Sequence, residues 1–149
     1  MELKELLIPA RVNVQVKAAN WEEAVRAVGR LMVDSGGVEE RYIDAMIETV
    51  QQLGPYIVIA PGIAMPHALP DCGVKENCMA IITLDPPVEF GNEDNDPVFV
   101  VLAFGAKDKT DHMQALRQVA TVLSQQANVD ALQAARTKED ILAVMYAAS

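Results

Sequence analysis

The chain has 149 residues, 51% of them hydrophobic, and a formal net charge of -9. That length suits one domain with a substantial core, residues 1–149, better than two. The acidity argues against nucleic acid, whose phosphates demand Lys and Arg, and against anionic membrane surfaces. It is compatible with a basic protein partner. No run approaches the ~20 apolar residues of a membrane helix. The charged N-terminus has no signal-peptide pattern, so a cytoplasmic location is expected. Cys72 and Cys78 are then expected to be free thiols.

Residues 1–8 are expected to make a short helical turn. Arg11–Lys17 alternates apolar with polar, the mark of a half-buried strand. Asn20 is placed to cap a helix, with Glu23 in capping-box position. Trp21, Ala24, Val25, Val28, Leu31 and Met32 fall on one face of it, and Gly36-Gly37 ends it. A second helix is predicted from about Glu40 to Leu53, its apolar stripe being Ile43, Met46, Ile47, Val50 and Leu53. Tyr56–Ala60 is short and rich in β-branched residues, which predicts a buried strand broken by Pro61-Gly62. Pro70–Gly73 reads as a turn. Cys78–Leu84 is the next strand, ended by Pro86-Pro87, and Val88–Phe90 is a brief extended piece. Gly91–Pro97 is a polar, acidic loop. Val98–Phe104 lacks alternation and is predicted to be a central strand. A loop through Gly105–Thr110 leads to a helix capped by Thr110 or Asp111, with a buried stripe of Met113, Leu116, Ala120 and Leu123. Asn128 is expected to cap a short helix to about Ala135. Thr137 caps the last, with Asp140 at its third position and Ile141, Leu142 and Met145 inside. The order β-α-α-β-β-β-α-α-α predicts an α/β chain with helices on both faces of its sheet.

Two histidines carry the chemistry on offer. His67 follows the predicted strand at 56–60 on a loop stiffened by Pro61, Gly62 and Pro66. His112 opens a helix, where free backbone N–H groups favour an anion. Loops that follow neighbouring strands can meet at one end of a sheet. Both imidazoles would then face one phosphate-sized site, with His67 as nucleophile and His112 as donor to the phosphoryl oxygens. The plainer reading is that each is a surface histidine or one satisfied in the core. A metal site of His67, Asp71, Cys72 and Cys78 fits no standard zinc spacing. A Cys-His dyad would need a depressed thiol pKa, for which an acidic chain offers no support. Glu93, Asp94 and Asp96 read as a cation site, a solvated loop or an acidic docking rim. No G-K-[ST] phosphate loop is present.

From Gly54 to His67, through Pro61-Gly-Ile-Ala-Met-Pro-His67, the chain resembles the enzyme IIA component of the phosphoenolpyruvate-dependent sugar phosphotransferase system. The likeness is to the mannitol/fructose type, and within it to the L-ascorbate subgroup. It extends through Asn92–Val98 and the pair Asp111-His112. The resemblance implies a three-layer α/β/α sandwich with a mixed central sheet. It implies that His67 takes a phosphoryl group from the carrier protein HPr as a tele-phosphohistidine, with His112 as the second active-site histidine. The group would pass to a cysteine of enzyme IIB, which phosphorylates the sugar as the membrane enzyme IIC imports it. No cofactor or metal is implied. An apolar ring of Ile63, Met65 and Leu69 would dock the partners. One departure stands out. Mannitol-type members carry an arginine in the helix before the active-site strand, and here Glu48–Leu53 has none, the nearest upstream being Arg41. Two other functions remain open at this stage: a regulatory module of the same fold switched by phosphorylation of His67, and a metal-dependent hydrolase using both histidines.

Overall fold

A computed structural model describes residues 2–147. Five strands form one mixed sheet in the order β1-β4-β5-β3-β2. They are β1 (Val12–Val16), β2 (Val58–Ala60), β3 (Ile63–Ala64), β4 (Cys78–Val88) and β5 (Val98–Gly105). The pairs β4–β5 and β2–β3 are antiparallel, and β1–β4 and β3–β5 are parallel. Helices α2 (Trp21–Asp34) and α3 (Arg41–Leu53) cover one face. The other face carries α1 (Leu3–Leu6), α4 (Lys109–Leu123), α5 (Gln126–Ala134) and α6 (Lys138–Ala147). The architecture is the expected three-layer α/β/α sandwich.

Burial on both faces explains why β4 and β5 read as continuous apolar runs. Ala80, Ile82, Val101 and Ala103 face α2 and α3, whereas Met79, Ile81, Leu102 and Phe104 face the other layer. The predicted caps of α2 and α6 are present. Asn20 Oδ1 accepts from Glu23 N at 2.9 Å, and Thr137 Oγ1 accepts from Asp140 N at 3.1 Å.

Several expectations are corrected. The segment at 56–60 is not a buried strand. Pro55–Ile57 forms a 3-10 turn, β2 is an edge strand, and Tyr56 is 82% exposed. Pro61-Gly62 does not simply end it but turns it back into β3, which at two residues is too short to carry a sequence pattern. Gly62 is needed there: its φ is +79°, and a Cβ would run into the Phe99 ring. Strand β4 does not stop at Pro86-Pro87. The ladder shifts register between Thr83 and Val88, so the prolines sit in an irregular stretch and Val88 pairs with Val98. Leu53 is exposed beyond the end of the α3 stripe. Helix α4 is capped by Asp108, not Thr110 or Asp111, and its buried face is Ala115, Val119 and Val122. Met113 and Ala120 face outward, and Leu116 and Leu123 flank the contact. Asn128 lies inside α5, where its amide closes the Val122 carbonyl at the end of α4.

The acidic loop is a clasp rather than a solvated run. The Asp96 carboxylate accepts from the backbone N–H of Phe90, Gly91 and Asn92 at 2.8–3.0 Å. The amides of Asn92 and Asn95 donate to Val58 O at 3.4 and 3.2 Å, and Gly62 N donates to Asn95 O at 2.8 Å. The loop thereby holds the β2–β3 hairpin. Glu93 and Asp94 remain exposed. Asp96→Ala is expected to lower stability by about 2–3 kcal/mol, because three donors lose a charged acceptor. Glu93→Ala should stay within about 0.5 kcal/mol of the parent. Urea denaturation of both variants checks this.

Candidate active site

The hairpin delivers His67. Strand β3 pairs with β5 only at Ile63↔Val100 and Ala64↔Val101. The chain then runs on beside β5 through Met65 and Pro66, both buried, to a half-buried His67. Its Nδ1 lies 3.0 Å from the carbonyl oxygen of Met65. A carbonyl only accepts, so Nδ1 carries the proton and donates it. The neutral ring then keeps its lone pair on Nε2.

His112 arrives from the opposite side. Three residues after β5, Asp108 starts α4: its carboxylate accepts from Asp111 N at 2.8 Å, and its carbonyl from His112 N at 3.0 Å. Asn77 ties this turn to the start of β4. It donates to Asp111 Oδ2 at 2.8 Å and accepts from Lys107 N at 2.7 Å. His112 is therefore held from both sides.

Both imidazoles sit on Phe104, the penultimate residue of β5. The His67 ring stacks on it at 5.0 Å between centroids and 22° between planes. The His112 ring meets it edgewise at 4.8 Å and 62°. The two imidazoles are 5.4 Å apart at 67°. Phe104 is fully buried beneath them. The His112 pKa is lowered, chiefly by burial and further by His67. Two imidazolium ions at this spacing would repel, so the pair rests with His112 neutral near pH 7.

The other candidates separate from this site. Among the described residues no group of three His, Cys, Asp or Glu side chains is placed to hold a metal, so His67, Asp71, Cys72 and Cys78 do not assemble as ligands. Cys78 is buried, and burial pushes its thiol up to about 11, which makes it a poor nucleophile. Glu93 and Asp94 precede β5, whereas Phe104 is its last residue but one, so the acidic loop lies at the far end of that strand from the histidines. Ile63 and Met65 are buried, and of the predicted apolar ring only Leu69 faces outward, 69% exposed. Its neighbours around His112 are Pro70, Lys109 and Met113, which with Leu69 line an apolar hollow of about 240 Å³. Arg41 heads α3, where it pairs with Glu39 at 2.6 Å and donates to Asp71 O at 3.2 Å.

Residues 5–148 match the family described as the phosphoenolpyruvate-dependent sugar phosphotransferase system, EIIA 2. This chain belongs to that EIIA family. The likeness to ascorbate-specific members extends across most of it. It is 41% identical over 132 residues to the ascorbate-specific PTS system EIIA component of Salmonella typhimurium, covering 88% of this chain and 86% of that one. Among solved structures, the mannitol-specific cryptic phosphotransferase enzyme IIA CmtB from Escherichia coli superposes with a TM-score of 0.90 at 27% identity, covering 99% of each chain. The IIA of the E. coli complex between enzyme IIA-Mtl and phosphorylated enzyme IIB-Mtl shares the fold, with a TM-score of 0.83 at 23% identity over 95% of this chain and 99% of that one.

Phe104 and Tyr42 are the parts of this candidate site that sequence reasoning missed. Phe104 stands in a continuous apolar run, Val98–Phe104, that reads as core throughout. The Tyr42 hydroxyl bonds the backbone beside His67, and the available signal was a tyrosine next to a buried helical stripe, where its O–H must find a partner. Titration followed by ¹⁵N NMR should show His112 with a midpoint below the 6.5 of a free histidine, moving upward in His67→Asn. Since the unfolded chain then binds the proton first, the contribution of His112 to stability is complete above about pH 6.5 and declines as pH falls toward the folded midpoint.

Proposed function

We propose that this chain is the phosphoryl relay of a phosphotransferase system that imports L-ascorbate. His67 Nε2 accepts the phosphoryl group from a phosphohistidine of HPr and passes it to a cysteine thiolate of enzyme IIB, which serves the membrane enzyme IIC. The observation that carries this reading is the His67 tautomer: Nδ1 is committed to Met65 O, and the free Nε2 lone pair belongs to a ring 5.4 Å from a second imidazole.

In the accepting step the Nε2–P bond forms as the donor's N–P bond breaks, and the donor ring keeps its electron pair. Little else is required beyond in-line placement and charge stabilisation. As Nε2 bonds phosphorus, positive charge grows on the His67 ring. The Met65 carbonyl stabilises the Nδ1–H, and the Phe104 face beneath the ring favours a cation. His112, neutral at rest, donates to a phosphoryl oxygen. The arriving negative charge raises its proton affinity and opposes the lowering seen in the unphosphorylated protein. In the second step a thiolate attacks phosphorus, the Nε2–P bond breaks, and its electron pair returns to the ring.

Ascorbate as the sugar is supported by the likeness to ascorbate-specific members. Enzyme IIB as partner is supported by the fold shared with the IIA bound to phosphorylated IIB. Among the described residues no helix is long and apolar enough to cross a membrane, which fits work in the cytoplasm beside a membrane component. The exposed Leu69 and Met113 beside His112 offer a modest apolar surface for transient partners.

The test is reconstitution with phosphoenolpyruvate, enzyme I and HPr, read by intact mass and acid lability. The wild type should gain one acid-labile phosphoryl group, His67→Ala none, and His112→Ala should gain it about 10²–10³-fold more slowly. A labelled protein that cannot pass its group to any IIB would favour the regulatory reading. In the same assay Leu69→Asp and Met113→Asp should raise KM for phosphorylated HPr several-fold. Charge reversal at Glu93 and Asp94 should leave the rate unchanged, because these residues lie at the other end of β5.

A further inference from the structure

We propose that Tyr42 is the positioning residue of the reactive imidazole: its hydroxyl supplies the link between the His67 loop and β5 that the backbone cannot make. Donors along β3 and its extension alternate between neighbours. Met65 N–H turns toward β2 and bonds Ile57 O at 2.8 Å. The next donor facing β5 would belong to Pro66, which has no N–H. Two residues on, Ala68 N–H faces the same side and meets the Tyr42 hydroxyl at 3.0 Å. That hydroxyl lies 2.8 Å from Phe104 O and 3.2 Å from Ala68 O. Its single proton goes to the nearer carbonyl. The chain of contacts is therefore Ala68 N–H to phenol to Phe104 C=O.

These two backbone positions define the stack. Ala68 follows His67, and Phe104 is the residue on which the imidazole lies. A hydroxyl bonded to both holds the separation between ring and floor, and with it the reach of Nδ1 to Met65 O. Tyr42 is fully buried and stands at the second position of α3, so it touches neither solvent nor any docking partner. Burial pushes its pKa well above the ordinary tyrosine value, so the phenol stays protonated and keeps both roles, donor and acceptor. Removing the oxygen leaves a buried N–H and a buried carbonyl without this partner. The Pro66–Ala68 segment then loses its hydrogen-bonded tie to β5 and keeps Met65 N–H to Ile57 O on the β2 side.

The kinetic consequence rests on the reading that His67 takes the phosphoryl group, while the structural one does not, and Tyr42→Phe tests both. ¹⁵N NMR of the unphosphorylated protein should show His67 as the Nδ1–H tautomer in the wild type and a mixture of tautomers in the variant. Transfer at saturating phosphorylated HPr should fall about 10- to 100-fold, the scale of an ångström-sized misplacement, while KM for HPr stays within about twofold. Ile43→Val, which trims a neighbouring contact of α3 with α2 at Gly29, should change neither readout. If Tyr42→Phe does not fold, 3-fluorotyrosine introduced at position 42 alone keeps the shape and weakens the acceptor, and it should shift both readouts the same way by less. A Tyr42→Phe protein with the wild-type tautomer and saturated rate would overturn the proposal, as would an equal loss in Ile43→Val. A wild type that takes no label would instead overturn the relay reading, and the tautomer measurement would still decide the role of Tyr42.

Discussion

Phe104 stands next to last in the β4–β5 ladder, and its ring takes its place from that ladder, not from the side chains above it. Met79 pairs with Phe104 across the two central strands, and helices pack on both sides of them. A benzyl group at the rim of such a sheet must be covered, since leaving it exposed forfeits roughly 1.5–3 kcal/mol of burial. Two imidazoles do the covering. Each has a polar edge that reaches solvent and a flat face that tolerates an apolar neighbour. The same packing that shields Phe104 therefore brings two titratable rings to 5.4 Å and lowers the proton affinity of His112. The geometry of the candidate site follows from a requirement of the core.

The two histidines reach that ring by unlike routes. His112 is carried by a regular helix whose first turn is pinned by Asp108 and Asn77. His67 hangs from a two-residue strand and an X-Pro segment with few backbone hydrogen bonds of its own. Its placement depends on side chains from elsewhere: Asn92, Asn95 and Asp96 at one end of the hairpin and Tyr42 at the other. The imidazole proposed as the phosphoryl acceptor is thus mounted on the irregular part of the fold and braced from two other segments.

What was legible in the sequence follows from the range of the forces involved. Asn20, Thr137 and the apolar runs of β4 and β5 act locally or through strong periodicity, and they read correctly. The element order put helices on both faces, the strand-end position of both loops drew the histidines into one expected site, and the resemblance implied the same. Less legible were features set by tertiary contact. Strand β3 has no pattern at two residues in length. Met113 looks like a member of the α4 stripe, yet it stands at the rim of the hollow beside His112 because the helix turns Ala115, Val119 and Val122 inward. The acidity of Gly91–Pro97 suggested solvation, whereas Asp96 is spent on three backbone donors. What sets Tyr42 apart from its buried neighbour Ile43 is a hydroxyl whose partners lie 26 and 62 positions away in the chain.

The amides of Asn92 and Asn95 have one more effect. Strand β2 is the outer strand on its side of the sheet, and the carbonyl of Val58 is the group those amides occupy. An edge strand with one open side, with Ile59 exposed on it and Tyr56 just before it, is an invitation to pair with a second copy. Filling the acceptor of its first residue from within the chain takes one of the few groups such a pairing would need.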